Sequence, residues 1–176
     1  DGYALLLLAQ IAFDRSRLAQ CEFFVKRAIA VRPDIPHPYN LLAQCLWALN
    51  RSEEALPIMR KATQLAPNDA PLWSSTGHIA ASTRRYSEAI ACYHRSLEIN
   101  RVTNEAAFQG LGQTYGQLGR WNKSLDVLAE GCRAMPDNPR MKVLVDDGKQ
   151  QAIVAQIQQW VEAGVGTGEI ASRLNA

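Results

Sequence analysis

The chain has 176 residues, of which 47% are hydrophobic and 20% charged, and its formal net charge at pH 7 is +2. This composition is that of a globular domain rather than of a disordered segment. A net charge so close to zero gives no indication of a nucleic-acid or membrane-surface partner, and no apolar run reaches the length of about 18 residues that suggests a membrane-spanning helix.

The first predicted helical hairpin spans residues 2–35. Its opening apolar run, residues 3–12, follows no basic segment and is closed by no small-x-small site, so we expect no signal peptide at this point; a targeting segment could still lie upstream.

Apolar and small residues recur at helical spacing on the two predicted helices of this hairpin. They are Leu5, Leu8, Ala9 and Ala12 on the first helix, and Cys21, Val25 and Ala28 on the second.

The same pattern recurs in residues 36–69, 70–104 and 105–138. Prolines at 33, 67 and 136 end second helices, because proline cannot continue a helix. Arg101 takes this place in the third hairpin, which is one residue longer. The repeating positions are Tyr39, Leu42, Ala43, Leu46, Ala55, Met59 and Ala62, then Trp73, Thr76, Gly77, Ala80, Ala89, Tyr93 and Ser96, and finally Phe108, Leu111, Gly112, Tyr115, Ser124, Leu128 and Gly131.

The short turns within the hairpins need one residue in the left-handed region. Asn50 and Gly119 suit this conformation, whereas Ser16 and Arg84 adopt it with more strain. We therefore predict that all four turns share one geometry.

The fourth hairpin carries aromatic-x2-Leu-Gly-x2-Tyr from Phe108 to Tyr115, a small and a large residue at Ser124 and Leu128, and a closing Pro136. This pattern resembles the tetratricopeptide repeat (TPR), a helix-turn-helix unit of about 34 residues. The resemblance implies an all-α fold, a right-handed superhelical solenoid of four repeats within residues 1–138 plus a C-terminal capping helix. Small positions let paired helices approach, and large ones fill the space between units that share one core.

Residues 139–176 depart from the repeat and are predicted to form capping helices. Residues 140–145 could begin one helix before Asp146-Asp147-Gly148, residues 149–163 are amphipathic, and residues 169–175 form a last short helix. Residues 162–174 are also similar to the first half of a DNA-binding helix-turn-helix. The recognition helix should start where the chain stops, so we expect no nucleic-acid binding.

The resemblance implies that the first helix of each repeat lines a concave surface. Long polar side chains recur there and could hydrogen-bond the backbone of an extended peptide, while aromatic residues could anchor a partner side chain. The alternatives are a merely solvated face and, for Phe13, packing against another repeat. The candidate peptide-binding residues are Gln10, Phe13, His37, Asn40, Leu41, Gln44, Trp47, Ser74, His78, Gln109 and Gln113.

TPR domains that hold chaperone tails use a clamp of Lys, Arg and Asn on this surface. The corresponding positions here carry no basic residue, so we do not expect an acidic carboxyl-terminal tail as ligand. They are Leu6, Gln10, Leu41, Pro71 and Ser75.

A row of arginines recurs at the hairpin turns, namely Arg17, Arg51, Arg85 and Arg120. This possible basic edge could meet an acidic partner or phosphates. The alternative, which we favour, is an ordinary solvated turn whose charge is partly offset by nearby glutamates, Glu53, Glu54 and Glu88.

Catalysis, metal binding and cofactor binding find no support in the sequence. The histidines lie on separate elements without a triad partner, and no glycine-rich nucleotide loop is present. The four cysteines have no metal-ligand spacing, so we expect buried free thiols and, weakly, a cytoplasmic location.

The sequence thus predicts a non-catalytic protein–protein interaction module or assembly scaffold that binds an extended segment of a protein partner. One alternative is a targeting or regulatory arm of a larger enzyme or of a secretion or assembly machine. Another is a self-associating scaffold, that is, a homo-oligomer.

Overall fold

The fold was analysed in a computed structural model that describes residues 2–174. Within this range the chain is helical with no strand, which confirms the all-α prediction. The predicted helix end at Asn175 lies outside the described residues. The helices are α1 (Gly2–Asp14), α2 (Leu18–Val31), α3 (Pro36–Ala48), α4 (Ser52–Leu65), α5 (Ala70–Ser82), α6 (Tyr86–Ile99), α7 (Glu105–Gln117), α8 (Trp121–Ala134), α9 (Pro139–Glu162) and α10 (Thr167–Leu174).

In each of the first four helix pairs, the same kind of turn joins the first helix to the second. The left-handed residues are Ser16, Asn50, Arg84 and Gly119, with φ of 57°, 60°, 59° and 69°. The next residue is always an arginine whose backbone N–H donates to a carbonyl five residues back, for example Arg17 to Ala12 at 2.8 Å and Arg120 to Tyr115 at 2.9 Å. These are Schellman turns. The predicted turn geometry is therefore confirmed.

The helix pairs pack in chain order, and the second helix of each pair contacts the first helix of the next. One hydrophobic core runs through the first four pairs. Small residues such as Ala43 and Ala89 are fully buried where helices approach closely. Cys21 on α2 and Cys45 on α3 are also fully buried in this core, and Cys45 Sγ donates to the Leu18 carbonyl at 3.0 Å. The units thus share one interior, as the solenoid prediction requires.

Tyr93 shows how a large residue joins neighbouring pairs. It lies on α6 with 1% of its surface exposed. Its ring meets His78 of α5 edge-on, with ring centroids 5.8 Å apart, and lies directly against the backbone of Gly110 on α7. Tyr93 therefore fills the space between two successive first helices.

The predicted interruption at residues 146–148 is wrong, because α9 runs unbroken from Pro139 to Glu162. Asn138 caps it by accepting the Arg140 backbone N–H at 2.9 Å. Gly148 is buried in mid-helix, where a Cβ would meet Leu128 Cδ1 at 3.1 Å. The glycine therefore serves close packing on α8 rather than a turn.

The first part of α9 covers the end of the fourth helix pair. Met141 is fully buried and forms a second core cluster with Phe108 and Leu128. Gly164, whose φ is 76°, lies just beyond the end of α9, and α10 begins at Thr167. None of the helices in residues 2–174 is both long enough and apolar enough to cross a membrane.

Candidate functional site

A groove of about 690 Å³ runs along the first helices of successive pairs, from α3 across α5 and α7 to the start of α9. We call it the central groove. Its walls carry amide, indole, imidazole and guanidinium groups from four different helices. The lining residues are Gln44, Trp47, Pro71, Ser74, Ser75, His78, Ile79, Thr103, Asn104, Glu105, Ala106, Gln109 and Arg140.

Five of the sequence candidates meet in this groove, namely Gln44, Trp47, Ser74, His78 and Gln109. Trp47 is 48% exposed, which is unusual for so large an apolar side chain. Gln44 Nε2 donates to Asn40 Oδ1 at 3.2 Å, so Asn40, another candidate, orients the amide from behind. Gln44 is itself one of the residues that line the groove.

The other candidates lie elsewhere. Gln10 donates to Asp14 at 2.9 Å on the exposed side of α1, and Phe13 packs half-buried against the core. His37 and Gln113 lie outside the groove lining. The prediction that Leu41 faces a ligand is wrong: it is 3% exposed and belongs to the core, because the preceding helix pair covers this side of α3.

Ser74 lies at the floor of the groove in a buried polar network. Its Oγ lies 2.7 Å from Ser96 Oγ and donates to Asn104 Oδ1 at 3.2 Å. Asn104 Nδ2 donates to Ser96 Oγ at 2.7 Å, and Ser96 Oγ donates to the Ala70 carbonyl at 2.6 Å. The hydroxyl of Ser74 is therefore committed to joining α5, α6 and α7, and it is not presented to a ligand as predicted.

His78 stands in the middle of the groove, where its imidazole packs edge-on against Tyr93. His78 is exposed to solvent, but partial desolvation in the groove disfavours the charged imidazole and lowers the pKa of His78, an effect that a hydrogen bond to the Ser74 backbone partly opposes. The side chain is therefore a neutral hydrogen-bonding group at neutral pH.

Arg140 and Glu105 are groove residues that the sequence did not reveal. Arg140 Nε lies 3.4 Å from Glu105 Oε1, and the arginine side chain is 80% exposed. The repeat pattern lapses at Pro139, so the sequence predicts no groove position beyond it. The signal was nevertheless present, since first helices begin at residues 36, 70, 105 and 139, which are 34, 35 and 34 residues apart.

The arginine row at the turns is not a continuous free cationic edge. Arg51 pairs with Glu54 at 2.6 Å and with Glu22 at 2.9 Å. Arg85 pairs with Glu53 at 3.1 Å. Arg17 and Arg120 are exposed, with no ion pair inside the described range. Glutamates thus offset half of the row, although Glu88, one of the three glutamates named from the sequence, pairs instead with Arg60 at 2.8 Å.

No group of three or more His, Cys, Asp or Glu side chains in residues 2–174 is arranged to hold a metal ion. Three of the cysteines are buried free thiols, and Cys132 is partly buried. The groove provides hydrogen-bonding groups, one exposed aromatic surface, and the neighbouring guanidinium and carboxylate of Arg140 and Glu105.

Two of the helix pairs match the model of a known repeat family. The family model for the tetratricopeptide repeat matches residues 36–69 and 70–103. Anaphase-promoting complex subunit 3 of Schizosaccharomyces pombe is 25% identical over 123 residues, which are 70% of this chain and 18% of that protein. The chain therefore spans less than a fifth of this relative's length.

Two solved structures share the fold. TTC0263, a thermophilic TPR protein of Thermus thermophilus, superposes with a TM-score of 0.74 at 20% identity, covering 85% of this chain and 82% of the other. YrrB, described as a TPR protein with an unusual peptide-binding site, superposes with a TM-score of 0.70 at 20% identity, covering 81% and 71%.

Proposed function

We propose that this chain, whose residues 36–69 and 70–103 match the tetratricopeptide repeat model, is a non-catalytic interaction module that binds an extended segment of a protein partner in the central groove. The observation that carries the proposal is the convergence of Gln44, Trp47, His78 and Gln109 on one groove from three separate helices. Solenoids of stacked repeats use such elongated surfaces for binding.

The repeat organisation supports this proposal. The helix pairs before residue 36 and after residue 104 have the same turn geometry as the two matched repeats. We take them as two further repeats, giving four over residues 1–138, with residues 139–176 as the capping segment. A groove shared by successive repeats then presents similar chemistry at regular intervals.

The groove side chains suit a peptide backbone. An extended strand leaves its N–H and C=O groups unpaired, and a glutamine amide can donate to one and accept from the other. Trp47 provides an apolar surface for one ligand side chain. YrrB, which has the same fold, is itself described as having a peptide-binding site.

A peptide selection tests the proposal. Random nine-residue peptides displayed on phage are selected on the immobilised chain, and the affinities of the enriched peptides are measured by fluorescence anisotropy. The double variant Gln44→Ala/Trp47→Ala should weaken binding about tenfold or more. The matched control, Phe23→Ala, removes another aromatic side chain that is 56% exposed, on α2 and outside the groove. Equal affinities for wild type and a correctly folded double variant would rule out the groove.

Self-association is a second candidate function, and one observation favours it. Leu7, Leu8 and Ile11 on α1 are 66%, 46% and 48% exposed. The equivalent positions of α3, 34 residues further on, are at most 4% exposed because the preceding helix pair covers them, and they are Leu41, Leu42 and Cys45. The outer face of α1 thus carries apolar residues of the kind that are buried at the equivalent positions of α3. A second copy of the chain would cover it through the apolar side of α9, where Val154 and Val161 are 53% and 60% exposed.

Sedimentation velocity over a hundredfold range of concentration distinguishes this candidate. The variant Leu7→Glu/Ile11→Glu should remain monomeric at concentrations where the wild type associates. Val102→Glu, at another exposed apolar residue (67%), is the control and should associate like the wild type. A wild type that stays monomeric throughout would eliminate self-association.

A further inference from the structure

The central groove has one charged group that is free to bind a ligand. Arg140 Nε approaches Glu105, but the two terminal nitrogens of the guanidinium have no partner among the described residues, and the side chain is 80% exposed. Glu105 is 23% exposed and already accepts from Asn138 Nδ2 at 2.7 Å. The glutamate is therefore held by the structure, whereas the arginine retains unused donors.

Arg140 is also the only Lys or Arg among the groove-lining residues. The lowered pKa of His78 keeps that imidazole uncharged at neutral pH, so it adds no second positive charge. The guanidinium carries a planar fork of donors that matches the two oxygens of a carboxylate. A single such fork, next to one glutamate, suits one isolated carboxylate better than a cluster of negative charges.

From this geometry we infer that the groove binds an extended peptide that places one Asp or Glu side chain on Arg140 and one large apolar side chain on Trp47. The inference rests on the proposed function, and adds the ligand's chemistry. It revises the expectation that no basic residue serves the groove, because Arg140 enters from α9, beyond the four predicted repeats.

The dimensions of the groove set the length of a suitable probe. Trp47 lies on α3 and Arg140 on α9, and three spacings between successive first helices separate them, namely α3 to α5, α5 to α7 and α7 to α9. Helix axes in contact are about 8–10 Å apart, so the span is roughly 24–30 Å. An extended chain covers about 3.3 Å per residue, so a nine-residue peptide reaches across.

The experiment uses two sets of fluorescent nine-residue peptides with amidated carboxyl ends. Each peptide of the first set has one Leu and one Glu in a Ser-Ala background, and the set covers every possible distance between these two residues. The second set is identical except that Gln replaces Glu. Wild type should bind its best Glu peptide about fivefold more tightly than the Gln counterpart, with a preference that weakens as salt is added. Arg140→Gln should abolish the preference, and Arg140→Lys should reduce it because the fork is lost.

Lys142→Gln is the matched control, since it removes the same charge from an exposed residue of α9 outside the groove lining. It should retain the preference. Equal binding of both sets by wild type, or the same preference in Arg140→Gln, would overturn the inference and leave the proposed function standing. Failure of wild type to bind any peptide of either set would overturn both. The best peptides are also measured with a free carboxyl end. If freeing this end strengthens binding more than exchanging Gln for Glu does, the groove binds a terminal carboxylate, and the inference is likewise overturned.

Discussion

A Cβ atom added to Gly77 would stand 2.7 Å from Cε1 of Tyr93, far inside van der Waals contact. Tyr93 cannot move aside, because its ring is 1% exposed and lies between α5 and α7. Position 77 therefore needs a glycine, because α5 and α6 pack too closely there to leave room for a Cβ atom.

Gly77→Ala should consequently destabilise the chain by about 2 kcal/mol, because overpacking outweighs the gain of about 1 kcal/mol in helix propensity. Urea unfolding followed by circular dichroism measures the change. In a Tyr93→Leu background the ring is absent, and the same substitution should cost much less. An equal cost in both backgrounds would contradict the role given to the ring.

Replacing the strained left-handed residues should stabilise the hairpins. Ser16→Gly and Arg84→Gly should each raise the free energy of unfolding by about 0.5–1 kcal/mol, because a φ of 57° or 59° is costly for side chains with a Cβ. Asn50→Gly is the comparison and should gain less, since asparagine tolerates this conformation. Thermal unfolding checks the order. A loss of stability in Ser16→Gly would contradict it.

The buried network under the groove should be sensitive to a single hydroxyl. Ser96→Ala leaves Asn104 Nδ2 without its acceptor and removes the donor to the Ala70 carbonyl. An unsatisfied buried polar group costs about 1–3 kcal/mol, so we expect a destabilisation of that size. Ser87→Ala, at an exposed position of α6, should change stability by less than about 0.5 kcal/mol. Comparable effects of the two substitutions would argue against the network.

His78 should make the fold less stable in mild acid. Its pKa in the folded chain lies below the ordinary value of 6.5 because partial desolvation in the groove disfavours the imidazolium, and because the side chain is exposed, we expect a small effect on stability. The unfolded chain therefore binds more protons, and stability falls as pH drops below about 6.5, levelling off below the folded pKa. Unfolding curves between about pH 7.5 and 4.5 should show a smaller loss in His78→Gln than in wild type. His37→Gln, at a histidine outside the groove, should follow wild type; if His78→Gln also follows it, the assignment fails.

Periodicity and turn chemistry sufficed to predict the helix pairs. Each pair is a local structure whose apolar spacing, left-handed residue and, in three of the four pairs, terminal proline are all read within about 34 residues. The continuity of α9 was missed because Gly148 follows two aspartates and suggests a turn. Its actual role depends on Leu128, which is distant in sequence.

The groove was predicted only in part, because exposure in a stack is decided by the neighbouring unit. Leu41 has the same helical phase as a groove residue, but the preceding pair covers it. Ser74 faces the groove, yet Ser96 and Asn104 bind its hydroxyl. The groove position of Arg140 does not follow from the sequence pattern, because the repeat lapses at Pro139.

Burial of Cys21 and Cys45 turns the junction between the first two hairpins into a chemical reporter. Alkylating agents attack thiolates, and burial both shields these sulfurs and raises the pKa of Cys21 to about 12. Modification must therefore await a transient separation of α2 from α3. The rate of labelling at Cys21, compared with the rate at partly exposed Cys132, then measures how often α2 separates from α3, and no cysteine has to be introduced for the experiment.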